Sequence, residues 1–330
     1  MTRSRHSHRK KGMPLLPKLL ALSLGTWAVG VVVTWDYLMV VRIGLYAAPI
    51  LMIAAAVLAV LALLHRARVT ALAMFVIAAG LFTPQAPTLL RAMVPERPIA
   101  PSIELLSVIS LSNRTLNLDV RSTANVVRAE DVDLFLLQEV ADPLALIDAV
   151  ESLAGPSLHH CHEGTYLVFS KYPLGPPMPD VWSGMMACEA YLPSGPTWVG
   201  TVHLPRGVTT MASQTKVMDH LLALFEDMPG PKIIGGDFNA TPLSSPVQRM
   251  EMRMENAFAQ AGKGFGFTFP TPARRIGFAG PFLQIDYIFH SQDFQTVQAM
   301  VMETHPPFAD HFPIKALLRP VATGQDFDRD

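Results

Sequence analysis

The chain has 330 residues, 50% of them apolar and only 16% charged, with a formal net charge of -1. Soluble domains average roughly 25% charged residues, so the deficit points to membrane segments. The near-neutral total hides an asymmetry: residues 1–95 hold ten of the 26 Lys and Arg but one of the 27 Asp and Glu, leaving a basic, apolar front and an acidic back. The apolar content excludes a disordered or collagen-like chain, and two cysteines exclude a disulfide-rich scaffold or a zinc ribbon.

The first 14 residues, with Arg3, Arg5, Arg9, Lys10 and Lys11, read as a basic cytoplasmic tail. Three apolar stretches follow within residues 15–90: Leu15 to Trp35 with Lys18 as its one charge, then Ile43 to Leu64 and Val69 to Leu90 with none. Each is long enough for a helix crossing the bilayer, which takes about 20 residues, although Pro84, Gln85 and Pro87 shorten the third. A cleaved signal peptide is disfavoured, because its apolar region spans only about 7 to 15 residues.

Basic residues set the orientation. The tail and His65-Arg66-Ala67-Arg68 belong in the cytoplasm, and Trp35 and Tyr37 at the outer interface. Three crossings of the cell (inner) membrane then put everything after Arg91 in the periplasm or outside the cell. Prolines 95, 98 and 101 make residues 91–101 an extended tether. A globular domain is expected over 102–320 and a flexible tail over 321–330.

In the back part, strands are predicted at Ile103 to Ser112, Leu134 to Leu137, Tyr166 to Ser170, Met185 to Leu192, Trp198 to Leu204, Lys232 to Gly236, Leu283 to His290 and Thr296 to Met302. Helices are predicted at Leu118 to Ala129, Pro143 to Leu153, Thr209 to Met228 and Ser244 to Gln260, so the class is mixed α and β. Several apolar runs end in groups that are costly to bury: Asn113, Glu139, His203, and Asp237 with Asn239. Polar residues recurring at strand ends suggest one shared site.

Each residue also has an ordinary reading. Asn113 serves as a helix cap, Glu139 as the first residue of a helix, and His203 as a core histidine. Asp237 and Asn239, in Gly236-Asp237-Phe238-Asn239, form an Asx turn, or else point to one side of an extended chain. Asp286 interrupts an apolar strand and needs a partner, for which His311 is the candidate; otherwise His311 lies in a surface loop before an edge strand. As a metal ligand, Glu139 supplies the hard oxygen that Mg²⁺ prefers.

Six ordered pieces carry a joint signal: Ser112-Asn113, Leu137-Gln138-Glu139-Val140, Thr201-Val202-His203-Leu204, Gly236-Asp237-Phe238-Asn239, Ile285-Asp286-Tyr287-Ile288 and Asp310-His311. Together they resemble the endonuclease/exonuclease/phosphatase superfamily, with its deoxyribonuclease-I-like fold, over about Ser102 to Arg319. The resemblance implies a four-layer α/β/β/α sandwich and a metal-dependent phosphoesterase site at one end of the sheets. Glu139 would ligate Mg²⁺, with Mn²⁺ as the alternative, and Asn113 and Asp310 would lie beside the ion. Asp237 would orient or deprotonate the attacking water, while Asn239 and His203 would bind phosphate oxygens. Asp286 would support His311, which would stabilise the phosphoryl group or donate a proton. Two positions depart from the family pattern: Ala309 stands where serine is common, and Arg114 where an apolar residue is.

His159-His160-Cys161-His162 resembles a metal tract, but neighbours in a strand alternate sides and do not converge on one ion. Cys161 and Cys188 are left open as a disulfide, which an exterior domain permits. For substrate, the back part sets 16 basic against 26 acidic residues, where a nonspecific nucleic-acid binder shows a basic stripe. Arg206, Arg274 and Arg275 remain candidates for a local phosphate patch. The favoured reading is a membrane-anchored phosphoesterase acting on a lipid-linked or head-group phosphate ester. The alternatives are an extracytoplasmic nuclease and a non-catalytic membrane scaffold. No obligate protein partner is expected.

Overall fold

A computed structural model describes residues 12–95, 105–114, 119–155, 157–178 and 184–321, and its contacts divide the chain into two units, Met1–Pro84 and Gln85–Asp330. The expected basic tail before residue 12, the tether from 96, the starts of the strand at Ile103 and the helix at Leu118, and the tail beyond Val321 lie outside the described residues.

The first unit holds α1 (Leu15–Thr34), α2 (Met39–Tyr46), α3 (Ala48–Leu64) and α4 (Arg68–Phe82). Among the described residues only α1 is by itself long and apolar enough to cross a membrane; Met39–Tyr46 with Ala48–Leu64, and Arg68–Phe82 with Ala86–Ala92, are so only as bent pairs. The second expected crossing is bent by 83° between α2 and α3, where Pro49 enters the first turn of α3. The third loses its end because α4 stops at Phe82, ahead of Pro84. The 17 residues of α3 and 15 of α4 reach about 25 and 22 Å at 1.5 Å per residue, short of the roughly 30 Å hydrocarbon core. Small residues at Ala55, Ala59, Ala62 and Ala71 let α3 and α4 approach closely. Between α1 and α2, Arg42 pairs with Asp36 at 3.2 Å, both buried.

In the second unit the elements are α5 (Ala86–Ala92), β1 (Leu106–Ser112), α6 (Val120–Ala129), β2 (Leu134–Gln138), α7 (Pro143–Ser152), β3 (His159–Glu163), β4 (Tyr166–Ser170), β5 (Met185–Leu192), β6 (Gly195–His203), α8 (Met211–Asp227), β7 (Lys232–Asp237), α9 (Ser245–Glu251), β8 (Glu255–Asn256), α10 (Ala257–Ala261), β9 (Asp286–His290), β10 (Phe294–Val301) and β11 (Ile314–Pro320). Two sheets form, ordered β10-β11-β1-β2-β4-β3 and β5-β6-β7-β9-β8. Leu134, Leu136 and Val168 of the first pack on Met186, Val199, Ile233 and Ile288 of the second. The outer face of the first sheet, with Ile109, Phe135 and Leu137, takes Val127 of α6 and Ile147 of α7. The outer face of the second, with Val202, Ile234 and Tyr287, takes Met218, Leu222 and Phe225 of α8. Helix, sheet, sheet and helix make the expected four-layer sandwich.

Four details differ from the sequence reading. Strands β3, β8 and β11 were not expected, and β11 is interior, seated between β10 and β1. Its alternation of Ile314, Ala316 and Leu318 with Lys315 and Arg319 is short and bounded by prolines. The helix expected over 244–260 breaks after Met252, and the Asn256 side chain accepts from Phe258 N and Ala259 N to start α10 afresh. The second unit begins at Gln85 rather than Ser102. The reason is Arg91 on α5, whose guanidinium donates to the Gln260 carbonyl at 2.8 Å and the Gly262 carbonyl at 3.1 Å, satisfying the open end of α10. Cys161 and Cys188, left open as a disulfide, are free thiols buried between the sheets, and Cys161 Sγ donates to Met186 Sδ at 3.5 Å.

Candidate active site

His203, Asp237 and Asp286 occupy one rung of the second sheet. His203 pairs with Asp237 across β6 and β7, and Asp237 with Asp286 across β7 and β9. Two carboxylates facing each other across strands repel, so the rung needs a cation. His311, in the loop before β11, supplies it: Nδ1 lies 2.8 Å from Asp286 Oδ2, and Nε2 lies 3.8 Å from Asp237 Oδ2. Thr268 also donates its hydroxyl to Asp286 Oδ2, and the Phe269 ring stacks at a tilt 4.9 Å from the imidazole.

Burial alone would lower the His311 pKa. The charges of Asp286 and Asp237, the Nδ1 hydrogen bond and the charge of Asp310 outweigh it, pushing the ring up to about 10 and making it a cation at neutral pH. Asp237 is pushed well above the usual carboxylate range, first by burial and then by Asp286 and Glu139, against the opposing pull of His311 and the Asn239 amide. His203 is lowered, first by burial, with His311 and Arg206 adding to the shift against Glu139 and Asp286, so it is neutral at pH 7. Its Nε2 lies 3.5 Å from Glu139 Oε1 and 3.7 Å from Asp237 Oδ2.

Asn239 is not extended. At φ +44° it turns back, so its backbone N donates to Asp237 Oδ1 at 2.7 Å and its Nδ2 donates to Asp237 Oδ2 at 3.0 Å and to the Leu204 carbonyl at 2.9 Å. The residue expected to bind phosphate therefore holds the carboxylate beside it. Glu139 and Arg114 are also left-handed, at φ +55° and +63°, and such strained backbone collects at functional sites.

The first sheet contributes the other wall. Asn113 N donates to the Gln138 carbonyl at 2.9 Å, which sets Asn113 next to Glu139 at the ends of β1 and β2. Asn113 does not cap α6, a place taken by Asp119; its Oδ1 accepts from the Thr123 hydroxyl at 3.0 Å. Below the site, buried Gln138 bridges the sheets by donating Nε2 to Thr201 Oγ1 at 2.6 Å and Ser110 Oγ at 3.2 Å. Asp310 is buried, with Oδ2 paired to Arg274 Nε at 2.5 Å and Oδ1 without a hydrogen-bond partner.

The oxygens of Glu139, Asn113 and Asp310 are the hard donors that a divalent cation takes, and the unpartnered, buried Oδ1 of Asp310 fits such a ligand. A tighter group is formed by Asp237, Asp286 and His311, whose donor atoms lie within 4.8 Å of one another. Within that group a cationic imidazole bonded through Nδ1 to Asp286 offers no lone pair to a metal.

Sequence reading missed Tyr166, Thr268 and Gln138. The Tyr166 phenol is pushed up to about 12 by burial and then by Glu139 and Asp237, which places it in the same field. Of the arginines expected as a patch, Arg274 is committed to Asp310, Arg206 acts on the charge of His203, and Arg275 is exposed. In β3, His159 and His160 are both exposed and Cys161 is buried, while the rings of His160 and His162 lie 6.4 Å apart.

A model of the endonuclease/exonuclease/phosphatase family matches residues 111–311, which contain all eight expected site residues. Among solved structures, the chain is similar to an endonuclease/exonuclease/phosphatase from Beutenbergia cavernae DSM 12333 (18% identity, TM-score 0.50, covering 66% of this chain and 72% of that one). It is also similar to a protein of that family from Bacteroides vulgatus (17%, 0.53, 66% and 100%). A third is D. rerio TDP2 complexed with a single strand DNA product (16%, 0.53, 66% and 99%). At these identities the likeness shows the fold. No curated protein matches the chain. Because the matched span is well over half of the 330 residues, the chain belongs to the endonuclease/exonuclease/phosphatase family.

Proposed function

We propose that this chain is a metal-dependent phosphoesterase, anchored to a membrane by α1, which hydrolyses a phosphodiester or phosphomonoester of a lipid-linked or head-group substrate. The observation that carries this reading is the rung His203–Asp237–Asp286 closed by His311, a base and a cation facing each other across the end of one sheet.

Asp237 is the base. Burial raises its pKa above the usual carboxylate range, which makes it a stronger proton acceptor, and Asn239 fixes its direction. His311 is fixed by Asp286 at Nδ1, so its Nε2–H faces the reaction space, where it stabilises the phosphoryl oxygens and protonates the leaving oxygen. Neutral His203 donates an N–H to a second oxygen. A cation held by Glu139, Asn113 and Asp310, Mg²⁺ or Mn²⁺, would neutralise developing charge on the phosphate.

The acidic back part argues against nonspecific nucleic-acid binding, with 26 acidic residues against 16 basic. Either one crossing or three places the second unit on the far side from the basic tail, so a periplasmic or extracellular site does not depend on α3 and α4 spanning. A substrate panel tests the reading: full-length protein in detergent is offered a phospholipid, a chromogenic diester, a chromogenic monoester and single-stranded DNA. Highest turnover on the phospholipid is expected; DNA as the best substrate would replace the lipid assignment with a nuclease.

A further inference from the structure

Loop 272–280, beside the site, exposes what folding ordinarily buries. Phe278 is 90% exposed and Ile276 54%, and Phe308 in the neighbouring loop is 56% exposed. Among the described residues of the second unit, no large apolar side chain is more exposed than Phe278.

This exposure belongs to a bonded turn. Arg274 N donates to the Thr271 carbonyl at 3.1 Å and Gly277 N to the Arg274 carbonyl at 2.9 Å. Gly277 sits so close to the Thr271 carbonyl that a Cβ there would come within 2.0 Å of it. The turn is bolted to the site loop: Thr271 Oγ1 donates to the Ala309 carbonyl at 2.7 Å, Thr271 N to the Asp310 carbonyl at 3.0 Å, and Arg274 pairs with Asp310. Arg275, next to Ile276, adds an exposed positive charge on a unit that is acidic as a whole. Exposed aromatic and aliphatic groups beside a basic one are the composition that binds an anionic lipid surface.

We propose that Ile276 and Phe278, with Phe308 and Arg275, form a contact with the lipid bilayer that seats the site at head-group level. The inference rests on the phosphoesterase reading for its consequence, the selection of lipid-borne esters, but not for the contact itself. The same chain carries α1, which keeps a bilayer within reach.

The test uses the full chain reconstituted in vesicles of phosphatidylcholine and phosphatidylglycerol. Both native cysteines are buried, so Phe278→Cys offers the accessible thiol for an environment-sensitive fluorophore. Emission shifted to the blue and quenched by lipids with spin labels in their acyl chains, beyond a Ser152→Cys control, is expected. Emission matching the control overturns the contact. A blue shift without lipid quenching also overturns it, since it reports burial against a second copy. In a separate arm, Ile276→Ser with Phe278→Ser is expected to lower hydrolysis of vesicle phospholipid about tenfold and leave a water-soluble diester unaffected. Equal loss on both, or loss on neither, would show that the turn does not select lipid. If the unsubstituted protein hydrolyses neither, the phosphoesterase reading fails while the fluorescence still decides the contact.

Discussion

Asp237 shows the conflict built into the site. A buried carboxylate opposite a second one is unstable as an anion, yet a base must be available near neutral pH, and burial supplies that availability at the expense of stability. Asp237→Asn should therefore lower turnover by about 10²- to 10⁴-fold without lowering the thermal midpoint, as activity assays and thermal unfolding of the same preparation will show. The His311–Asp286 pair has the opposite sign. The imidazole rises from an ordinary 6.5 to about 10, so its stabilisation is fully present below about pH 6.5 and is lost as pH rises through about 10. The gap in melting temperature between the natural chain and His311→Gln should shrink across that range. Among residues, the motifs made Glu139, His203, Asp237, Asp286 and His311 legible, because strands that end in costly polar groups leave a mark in an apolar pattern. Thr268 and Tyr166 leave none: each is an ordinary residue in its own segment and reaches the site only through folding.

The strands place the site by how closely they approach. At Gly236, φ +159°, a Cβ would lie 1.9 Å from the Val202 carbonyl oxygen of β6, so β7 can lie against its neighbour there only with glycine. Gly236→Ala should cost more than about 4 kcal/mol and remove folded protein, which expression and thermal unfolding check. Asn256 caps α10, and Asn256→Ala should cost about 1 kcal/mol, read as a lower melting temperature. Most of the sandwich was legible from short β-branched runs between helical periods. The elements that escaped are short or lean on tertiary contacts: β11 holds an interior place on three inward residues, and α5 is retained by the Arg91 bonds to α10. The break in the 244–260 helix was hidden because Asn256 looks like any polar helix position until its side chain accepts the α10 amides.

At the scale of the molecule, composition separated a basic apolar front from an acidic body, and the two units divide at Pro84. Hydropathy alone registers apolar length and not the breaks at Pro49 and Pro84, so of the three expected crossings only α1 is one unbroken helix long enough to span, and the other two are bent helix pairs. The body gathers four carboxylates, Glu139, Asp237, Asp286 and Asp310, around one histidine cation and one neutral histidine. That excess of negative charge is the physical reason to expect a metal. The most direct test is hydrolysis of a chromogenic phosphodiester by the full-length protein, with Mg²⁺ or with chelator, beside Glu139→Gln and Asp237→Asn. The account predicts turnover that chelator abolishes and Mg²⁺ or Mn²⁺ restores, with each variant folded and at least about 10²-fold slower. Turnover that survives the chelator, or that is unchanged in Asp237→Asn, would contradict it.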